Sequence, residues 1–283
     1  MAPFSRKQWV LSHLILLGLL SLVALQFWRV ANGQLKISFL DVGQGDAILI
    51  ETPDFKNILI DAGPNSTLVD RLGETLGFFD KTIDLFISTH PDKDHFAGIL
   101  DVLPKYKIQS VMRTGIVEEG VLYTAFLDEI KQQNIPVIVP TANQDIQIAR
   151  NVYLDVIYPL QGQSLWGKKV DKKNDTSIVL RLRRLTDRGW ENLAMLTGDA
   201  EFNEESEILL SGQDLEAGIL KLGHHGSKTS TSPTFLKAVK PAIAIISAGE
   251  NNTYGHPHAE TMEKIKNLKT HSTAEEGTIS MSL

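Results

Sequence analysis

The distribution of apolar residues divides the chain into one long uncharged segment and a series of short segments. Residues Trp9 to Trp28 contain no charged side chain. A run of about 20 such residues is long enough to cross a bilayer as a helix. We therefore predict a transmembrane signal-anchor helix over residues 9–28, preceded by a short N-terminal segment (1–8) and followed by a linker (29–34).

A cleaved signal peptide and a buried core helix are the alternatives for this segment. The apolar run exceeds the usual signal-peptide core, and bulky residues occupy the expected cleavage zone. A buried helix at the start of a soluble domain would be left without a partner. Arg6 and Lys7, together with the terminal amine, outweigh Arg29, so we expect the amino terminus to stay inside. This predicts a single-pass protein of the cytoplasmic membrane with the rest of the chain on its outer face.

From residue 35 onward, short β-branched and aliphatic runs alternate with segments of helical periodicity. Strands that meander first and then alternate with helices favour two sheets between helical layers, an α/β (α+β) sandwich over residues 35–283. The predicted strands are 35–40, 47–51, 57–60, 83–89, 107–112, 136–139, 152–157, 177–185, 192–196, 220–222, 242–247 and 278–283. The predicted helices are 66–77, 122–133, 204–210 and 259–268.

Composition narrows the possible classes of protein. With 283 residues, of which 42% are hydrophobic, the chain can bury one large core and is not disordered. The absence of cysteine excludes disulfides, thiolate metal sites and a cysteine nucleophile. The net charge of −6 argues against a non-specific nucleic-acid coat. Residues 168–188, however, contain eight basic and three acidic side chains, so this segment is net positive by five.

A dense cluster of metal-binding residue types follows the strand predicted at 83–89. Four nitrogen or carboxylate donors, His90, Asp92, Asp94 and His95, lie within six residues in a strand-to-helix loop. Donors of these types at this density can hold hydrolytic metal ions. The structural alternative is that Asp94 caps a helix and that both histidines are hydrogen-bonded loop residues.

Histidine usage supports the metal interpretation. Six of the eight histidines lie in three short motifs: the cluster above, His224-His225, and His256 with His258. Asp199 lies between the first two motifs. Imidazoles and carboxylates in this order predict a two-metal hydrolase site. For His256 and His258, loop packing is the alternative.

Two arginines are candidates for phosphate contact. Arg181 and Arg183 alternate with apolar residues, so both should face away from the core. We expect them to form a basic surface beside Asn174 and Asp175, the alternative being a solvated strand face.

Other polar residues in or near these motifs are candidates for hydrogen bonds to a phosphate or for proton transfer. A tight hairpin would explain the glycine-rich turn at 41–46 without any ligand. The weak substrate-binding candidates are Gln44, Asp46, Ser227, Thr229 and His256, and the catalytic or supporting candidates are His225 and His258.

Seven motifs give the chain a family resemblance. Residues 35–283 resemble the metallo-β-lactamase-like domain of ComEC-type competence proteins, in which the same motifs occur in the same order. The resemblance implies an αββα four-layer sandwich with the metal centre at one edge of the two sheets. The motifs are FLDVGQGDAILI, ILIDAG, STHPDKDHFAG, NDTSIVLRL, LTGDAE, LKLGHHGS and YGHPH.

The resemblance also implies residue roles. Asp61 would be a supporting aspartate, Asp199 the bridging carboxylate and His224 the late histidine ligand, while the HxHxDH positions are held by His90, Asp92, Asp94 and His95. Two departures from the superfamily pattern are Asp92, in place of a histidine, and a missing isolated histidine, near whose expected place Asn174 and Asp175 lie. Each exchange replaces an imidazole by an oxygen donor and shifts the preference from zinc toward harder ions such as Mn²⁺.

The expected cofactors are therefore two divalent ions, Zn²⁺ or Mn²⁺. One would be bound by His90, Asp92 and Asp199 with Asn174 or Asp175, and the other by Asp94, His95, Asp199 and His224. The expected reaction is phosphodiester hydrolysis by a membrane-anchored nuclease that acts on DNA outside the cytoplasmic membrane. Competence channel proteins are expected partners, because the chain has one predicted span where ComEC has a multi-span channel. The alternatives are hydrolysis of a small ester, lactone or nucleotide, and a non-catalytic DNA-binding tether.

Overall fold

A computed structural model describes residues 6–30 and 33–283, without the side chains of residues 25–30, 162 and 163. Residues 1–5 of the predicted N-terminal segment and residues 31–32 of the predicted linker therefore lie outside the described residues.

The helices begin with a long N-terminal one and are short elsewhere. They are α1 (Arg6–Val30), α2 (Thr67–Thr75), α3 (Lys93–Phe96), α4 (Ile99–Val102), α5 (Val121–Gln132), α6 (Phe202–Leu210), α7 (Pro233–Val239), α8 (Ala259–Ile265) and α9 (Thr273–Glu276). Short 3₁₀ turns occur at Gly162–Leu165, Asn174–Thr176 and Gly223–Gly226.

Most of the strands fall at or near the predicted segments. They are β1 (Lys36–Phe39), β2 (Ile48–Glu51), β3 (Asn57–Ile60), β4 (Thr82–Ile83), β5 (Leu85–Ile87), β6 (Lys107–Ile108), β7 (Val111–Met112), β8 (Val137–Ile138), β9 (Asp145–Ala149), β10 (Val152–Tyr158), β11 (Val179–Thr186), β12 (Gly189–Leu196), β13 (Ile219–Lys221), β14 (Ile243–Ile246), β15 (Lys269–Ser272) and β16 (Ile279–Ser282).

Two seven-stranded sheets form the centre of the molecule. The first has the order β16-β1-β2-β3-β5-β7-β8 and the second β15-β14-β13-β12-β11-β10-β9; β4 and β6 form a small separate pair. Each large sheet is antiparallel in one half and parallel in the other, because β3, β5, β7 and β8 run parallel, as do β12 to β15.

Alternate residues of the strands enter different cores. In β3, Ile58 and Ile60 belong to the core between the sheets, whereas Leu59 packs against the outer helices α2, α4 and α5. In β12, Leu196 faces the inner core and Met195 the layer of α6, α7 and α8. Because both faces of each sheet are covered, the strands read as nearly continuous apolar runs. The predicted αββα sandwich is therefore confirmed.

The N-terminal helix is apolar, and its residues 6–24 are exposed. Residues 6–24 of α1 have a mean hydropathy of 1.5 and none of this stretch is buried in the structure. Its length and composition are sufficient to cross a membrane, which agrees with the predicted span at 9–28.

The strands β9 and β15 and the helices α7 and α9 were among the elements not predicted from sequence. The strand β9 has exposed polar residues at alternate positions, β15 is composed of polar residues, and α7 is only seven residues long. Each packs at the edge of the second sheet or on its outer face, where tertiary contacts outweigh weak local signals.

Candidate metal centre

The predicted site residues meet where parallel strands of both sheets end. Asp61 follows β3, His90 follows β5, Asp199 follows β12, and the pair His224-His225 follows β13. Because the carboxyl ends of parallel strands share one edge of a sheet, residues distant in sequence are brought together there.

Asp199 is at the centre of this edge. Its Oδ2 atom lies 3.2 Å from His95 Nε2 and 3.4 Å from His225 Nε2. It is 3.8 Å from His224 Nε2 and 3.9 Å from His90 Nε2. Four imidazoles from two chain segments therefore direct the Nε2 atom toward one carboxylate.

Each of these imidazoles is held at its other nitrogen. His95 Nδ1 lies 2.7 Å from Asp61 Oδ2, and His90 Nδ1 lies 3.0 Å from Thr89 Oγ1. His225 Nδ1 lies 2.9 Å from the carbonyl oxygen of Ser247. Hydrogen bonds of this kind fix ring orientation and leave Nε2 free for a ligand.

Asp61, for which the resemblance implies a supporting role, contacts the first cluster. It accepts hydrogen bonds from the backbone and hydroxyl of Thr89, at 2.8 and 2.7 Å, in addition to its contact with His95. Asp61 has a φ of 57°, a left-handed conformation that non-glycine residues rarely adopt. The strained backbone turns this carboxylate back toward the strand ends.

The two neighbouring histidines of the third motif differ in position. Both have left-handed backbones, with φ of 48° at His224 and 55° at His225. His225 is buried, and its Nε2 also lies 3.4 Å from Asp94 Oδ2. His224 is partly exposed, and its Nδ1 lies 2.9 Å from Glu201 Oε1. The structure thus places His225 deeper in the cluster than His224, the predicted ligand.

Asp46 reaches the site from the glycine-rich turn. Its Oδ1 lies 3.3 Å from His225 Nδ1, and its carboxylate forms an ion pair with Lys221. Gly45 permits this approach, because its φ is 136° and a Cβ there would lie 2.2 Å from the carbonyl oxygen of Asp94. Asp46 is therefore part of the cluster, although sequence reasoning made it only a weak substrate contact.

Asp92 lies at the open side of the cluster. Its Oδ2 is 3.6 Å from His90 Nε2, and its Oδ1 is 3.1 Å from Lys173 Nζ. The same ammonium lies 3.0 Å from Glu118 Oε2. Burial alone would raise the pKa of Asp92, but the neighbouring His90 imidazole and the Lys173 charge outweigh it and lower the pKa to about 2.

Asn174 and Asp175 were alternatives for one ligand position. The Nδ2 atom of Asn174 lies 3.4 Å from His224 Nδ1, so this side chain borders the cluster. Burial raises the pKa of Asp175, and the only hydrogen bond described for this residue is the one its carbonyl oxygen accepts from Tyr158. Of the two residues, Asn174 has the position nearer to the predicted ligands.

The buried charges shift one another strongly. Burial opposes the charged form of His95 and His225, but Asp199 and the other carboxylates raise the pKa of both imidazoles well above the usual value. Burial would likewise raise the pKa of Asp199, yet His225 and His95 lower it well below the usual range. Protons on the imidazoles thus balance the carboxylates.

The residues present fit divalent metal ions. His90 Nε2 and Asp199 Oδ1 are buried and have no hydrogen-bond partner among the described residues. Donor atoms of Asp46, His95, Asp199 and His225 all lie within 4.8 Å of one another. Unpaired buried donors of nitrogen and oxygen type suit Mn²⁺ or Zn²⁺.

The histidines of the last motif adjoin the cluster. The His256 ring lies 5.3 Å from that of His224 and 5.9 Å from that of His225, and its Nδ1 has no hydrogen-bond partner in the described chain. Burial and the neighbouring histidines lower the pKa of His256 to about 4. His258 is more constrained, because its Nδ1 accepts a hydrogen bond of 3.1 Å from the Lys228 backbone.

The weaker substrate-binding candidates mainly form hydrogen bonds within and between the loops around the site. Gln44 Oε1 accepts a hydrogen bond from the Gly249 backbone, 3.1 Å long. Ser227 and Thr229 share a hydroxyl hydrogen bond of 2.9 Å, and Thr229 donates to Glu201. These contacts join the loops around the site to one another.

The expected basic surface at Arg181 and Arg183 is absent. Arg181 faces away from the inner core, as predicted, but it is only 7% exposed and forms ion pairs of 3.0 Å with both Asp155 and Asp214. Arg183 pairs with Asp145 and Asp155. The prediction was wrong because sequence periodicity gives the face of a strand but not the acidic partners that cover it.

Two residues of this region escaped sequence reasoning. Lys221 is fully buried, pairs with Asp46 and lies 4.0 Å from Asp199 Oδ1. Glu201 orients His224. A lysine inside the apolar run 219–222 was an available signal, since an unpaired lysine is almost never buried.

Comparison with known proteins agrees with this geometry. Residues 40–159 match the metallo-beta-lactamase superfamily model. The chain is 29% identical over 265 residues to ComE operon protein 3 of Bacillus subtilis, covering 86% of this chain and 32% of that protein. It is 29% identical over 258 residues to Recombination protein 2 of Haemophilus influenzae, covering 89% and 29%. Competence protein ComA of Neisseria gonorrhoeae is 27% identical over 242 residues, covering 84% and 30%. The chain thus spans about a third of the length of these relatives.

Solved structures share the fold at low identity. The CmlA beta-hydroxylase E377D mutant has a TM-score of 0.56 at 9% identity, covering 88% of this chain and 54% of that one. YhfI of Bacillus subtilis, a metallo-beta-lactamase fold protein, has a TM-score of 0.51 at 13% identity, covering 87% and 100%. These likenesses show the fold alone. Residues 40–159 thus match the metallo-beta-lactamase superfamily, and most of the chain is similar to competence proteins.

Proposed function

We propose that the protein is a membrane-anchored, metal-dependent phosphodiesterase that cleaves DNA outside the cytoplasmic membrane. The proposal has three parts, which are the metal-dependent chemistry, the DNA substrate and the location of the domain.

The convergence of four imidazole Nε2 atoms on Asp199 carries the chemical part. Together with the carboxylates of the first cluster, this set offers enough donors for two divalent ions that share Asp199. The proposed ligands are His90, Asp92, Asp94, His95, Asp199, His224 and His225, with Asn174 and Asp46 at the border of the set.

Divalent ions bound here would supply Lewis acidity toward a phosphate oxygen and a water molecule of lowered pKa. The chain itself supplies orientation. Asp61 holds His95, and Glu201 holds His224, each through Nδ1. Asp92 and Lys173 form an ion pair at the open side, where the Lys173 ammonium would be within reach of an entering phosphate.

His256 is the proposed proton-transfer residue. Its lowered pKa of about 4 keeps the imidazole neutral at pH 7, and its Nδ1 is without a protein partner in the described chain. A neutral imidazole beside the cluster can donate a hydrogen bond to a phosphate oxygen or exchange a proton with the leaving oxygen. His258 would support His256, since their rings lie 4.9 Å apart.

The DNA part is supported by the competence relatives and by the charge of one loop. Lys168 and Lys172 are exposed on the segment that leads to Lys173 and Asn174, and Lys169 between them is exposed but paired with Glu119 at 2.6 Å. Ammonium groups at the mouth of the site can follow a phosphate backbone. Arg181 and Arg183 are not part of this surface, because they are held in ion pairs.

Cleavage assays on the full chain in detergent test the chemistry and the substrate together. Labelled single- and double-stranded DNA would be incubated with Mn²⁺, Zn²⁺, Mg²⁺ or chelator. We expect metal-dependent products from the native protein and from the control Asp128→Asn, which alters an exposed carboxylate on α5, and none from Asp199→Asn. Cleavage that persists in metal-stripped protein would refute the proposal, as would metal-dependent turnover of a small ester without any cleavage of DNA.

Protease access tests the location. In intact cells whose outer barrier has been removed, residues 35–283 should be digested from outside if the amino terminus stays in the cytoplasm. Protection until the cells are lysed would place the domain on the inner face.

A further inference from the structure

Three phenylalanines are displayed on the surface far from the metal centre. Phe55 is 57% exposed in the turn between β2 and β3, and Phe78 and Phe79 are 75% and 81% exposed in the loop after α2. We name Phe55, Phe78 and Phe79 the phenylalanine surface. Large aromatic side chains exposed together indicate an interaction site in a folded domain.

Hydrogen bonds place the two parts of this surface at one end of the first sheet. Asn57, the first residue of β3, donates 2.9 Å hydrogen bonds from Nδ2 to Asp80 Oδ2 and from its backbone N–H to Asp84 Oδ2. Phe55 precedes Asn57 by two residues, and Phe79 directly precedes Asp80. The turn and the loop are therefore neighbours.

The chain enters the domain at this same end. Lys36, at the start of β1, pairs in register with Glu51, which pairs in turn with Asn57. A Cβ at Gly33 would lie 3.8 Å from the carbonyl oxygen of Pro53, in the turn that carries Phe55. The anchor helix α1 ends at Val30, so only a few residues separate it from the phenylalanine surface.

The metal centre occupies the opposite end. β3 runs from Asn57 to Ile60 and delivers Asp61 to the site. At about 3.3 Å per residue, four strand residues put roughly 13 Å between the two ends along this strand. Contact at the phenylalanine surface would therefore leave the metal centre open.

Three exposed lysines surround the surface and form no ion pair with a carboxylate of the described residues. Lys56, Lys81 and Lys107 are exposed there. Of the nearby carboxylates, Asp54 accepts a hydrogen bond from the Arg150 backbone, and Asp80 accepts one from Asn57. Glu51 pairs with Lys36 at 2.8 Å. Exposed aromatics beside lysines that lack a carboxylate partner are typical of surfaces that rest in the headgroup region of anionic lipids.

We propose that the phenylalanine surface docks on the bilayer beside the anchor helix. It inserts Phe55, Phe78 and Phe79 into the headgroup region of the leaflet from which α1 emerges, and it holds the metal centre facing away from the membrane. This inference rests on the anchoring in the proposed function, and it concerns the orientation of the domain rather than the chemistry.

Depth-dependent fluorescence quenching tests the proposal on the full chain. Because the protein has no cysteine, Phe79→Cys provides a single thiol for an environment-sensitive dye. The labelled protein would be reconstituted into vesicles of phosphatidylethanolamine and phosphatidylglycerol that carry a nitroxide either near the headgroup or near the bilayer centre. We expect blue-shifted emission and stronger quenching by the shallow nitroxide. Labels at Phe55→Cys and Phe78→Cys should behave in the same way.

Two further labels separate the possible failures. Val121→Cys is the matched control, because Val121 is apolar, 85% exposed and lies at the site end, next to the Glu118 loop. Its label should remain in water and unquenched. Leu17→Cys lies within α1, and its label should be quenched by the deep nitroxide.

If the label at 79 behaves like the one at 121 while the one at 17 is quenched, the docking inference is wrong and the anchoring stands. An unquenched label at 17 would refute the anchoring and the docking together. A blue shift at 79 that also occurs in detergent and ignores the nitroxide lipids would indicate a protein partner and overturn the proposal. DNA cleavage by these labelled variants reports on the chemistry independently.

Discussion

Lys221 and Asp46 form an ion pair in which neither side chain is exposed to solvent, and the ammonium group lies 4.0 Å from Asp199 Oδ1. Lys221 Nζ also donates a 3.1 Å hydrogen bond to the carbonyl oxygen of Gly198. An ammonium group is thus built into the site beside a carboxylate cluster. It reduces the repulsion that the carboxylates would otherwise exert on one another.

Removing this cation should destabilise the protein. Lys221→Met leaves Asp46 buried without its partner, which costs about 3–5 kcal/mol of unfolding free energy. The double variant Lys221→Met/Asp46→Asn should recover part of that loss, because no charge is then left unpaired. Thermal unfolding of the two variants beside the native protein measures the difference. Equal stability of Lys221→Met and the native chain would show that the pair contributes little.

The two adjacent histidines should differ in metal binding. His225 is buried against Asp94 and Asp199, whereas His224 lies at the rim. Loss of a supporting group typically lowers metal affinity ~10–100-fold, and we expect His225→Ala to lower it by more than that. The loss in His224→Ala should be smaller than the loss in His225→Ala. Metal titration of the purified variants, followed by elemental analysis, compares them. A larger loss of metal affinity in His224→Ala than in His225→Ala would support His224 as the metal ligand, as the family resemblance implies.

Metal affinity should rise with pH. The raised pKa values of His95 and His225 mean that metal binding must displace protons from both imidazoles. In metal-free protein, the raised imidazole pKa values contribute stability to the folded state. This contribution is fully present below pH ~6.5 and is lost as the pH rises through the folded-state pKa values. The lowered pKa of Asp199 contributes stability above pH ~4. This contribution is lost as the pH falls through the folded-state pKa of Asp199.

Metal-free protein should therefore be most stable between pH ~4 and ~6.5 with respect to these groups, and the stabilisation by added Mn²⁺ should grow toward alkaline pH. Thermal unfolding with chelator or with saturating Mn²⁺ across this range provides the measurement. A stabilisation by metal that is independent of pH would mean that the imidazoles are already neutral without metal.

Arginine and lysine substitutions should separate stability from DNA binding. Arg181→Met leaves Asp155 buried without one of its two cationic partners, so we expect lower thermal stability and unchanged DNA affinity. Lys172→Ala removes an exposed charge and should reduce the salt slope of DNA binding by about one, with little effect on stability. Binding isotherms at several salt concentrations and melting curves test both variants. Weaker DNA binding by Arg181→Met would show that Arg181 belongs to a DNA-binding basic surface after all.

His256 should affect turnover without affecting metal content. Loss of a general acid or base costs typically ~10²–10⁴-fold in rate, so His256→Ala should lie in that range. His258→Ala should also lower turnover, by a smaller factor, because its ring braces His256 and the Lys228 loop. Single-turnover cleavage together with elemental analysis distinguishes the two roles, and a parallel loss of metal in either variant would make that residue a ligand.

Local sequence features predicted most of the strands, because buried strands in a doubly covered sheet are continuous apolar runs. The ligand motifs could be recognised because His90 to His95 and His224-His225 are short and dense. Asp46, Lys221 and Arg181 could not be placed, since their roles depend on partners far away in sequence. Lys221 faces a residue 175 positions earlier, and Arg181 is covered by Asp214, 33 positions later. Pairing across such separations depends on tertiary structure, which no local pattern contains.

The first sheet is closed by the last strand of the domain, because β16 pairs antiparallel with β1 and Leu283 donates a hydrogen bond to Leu35. During synthesis, β1 therefore lacks one neighbour until β16 has been made, and contacts of this separation form slowly. The ligands after β12 and β13 also arrive late. A chain translocated from its anchor outward would consequently assemble its metal-binding edge only after passage, where the metal supply of the destination compartment, rather than that of the cytoplasm, selects the ion.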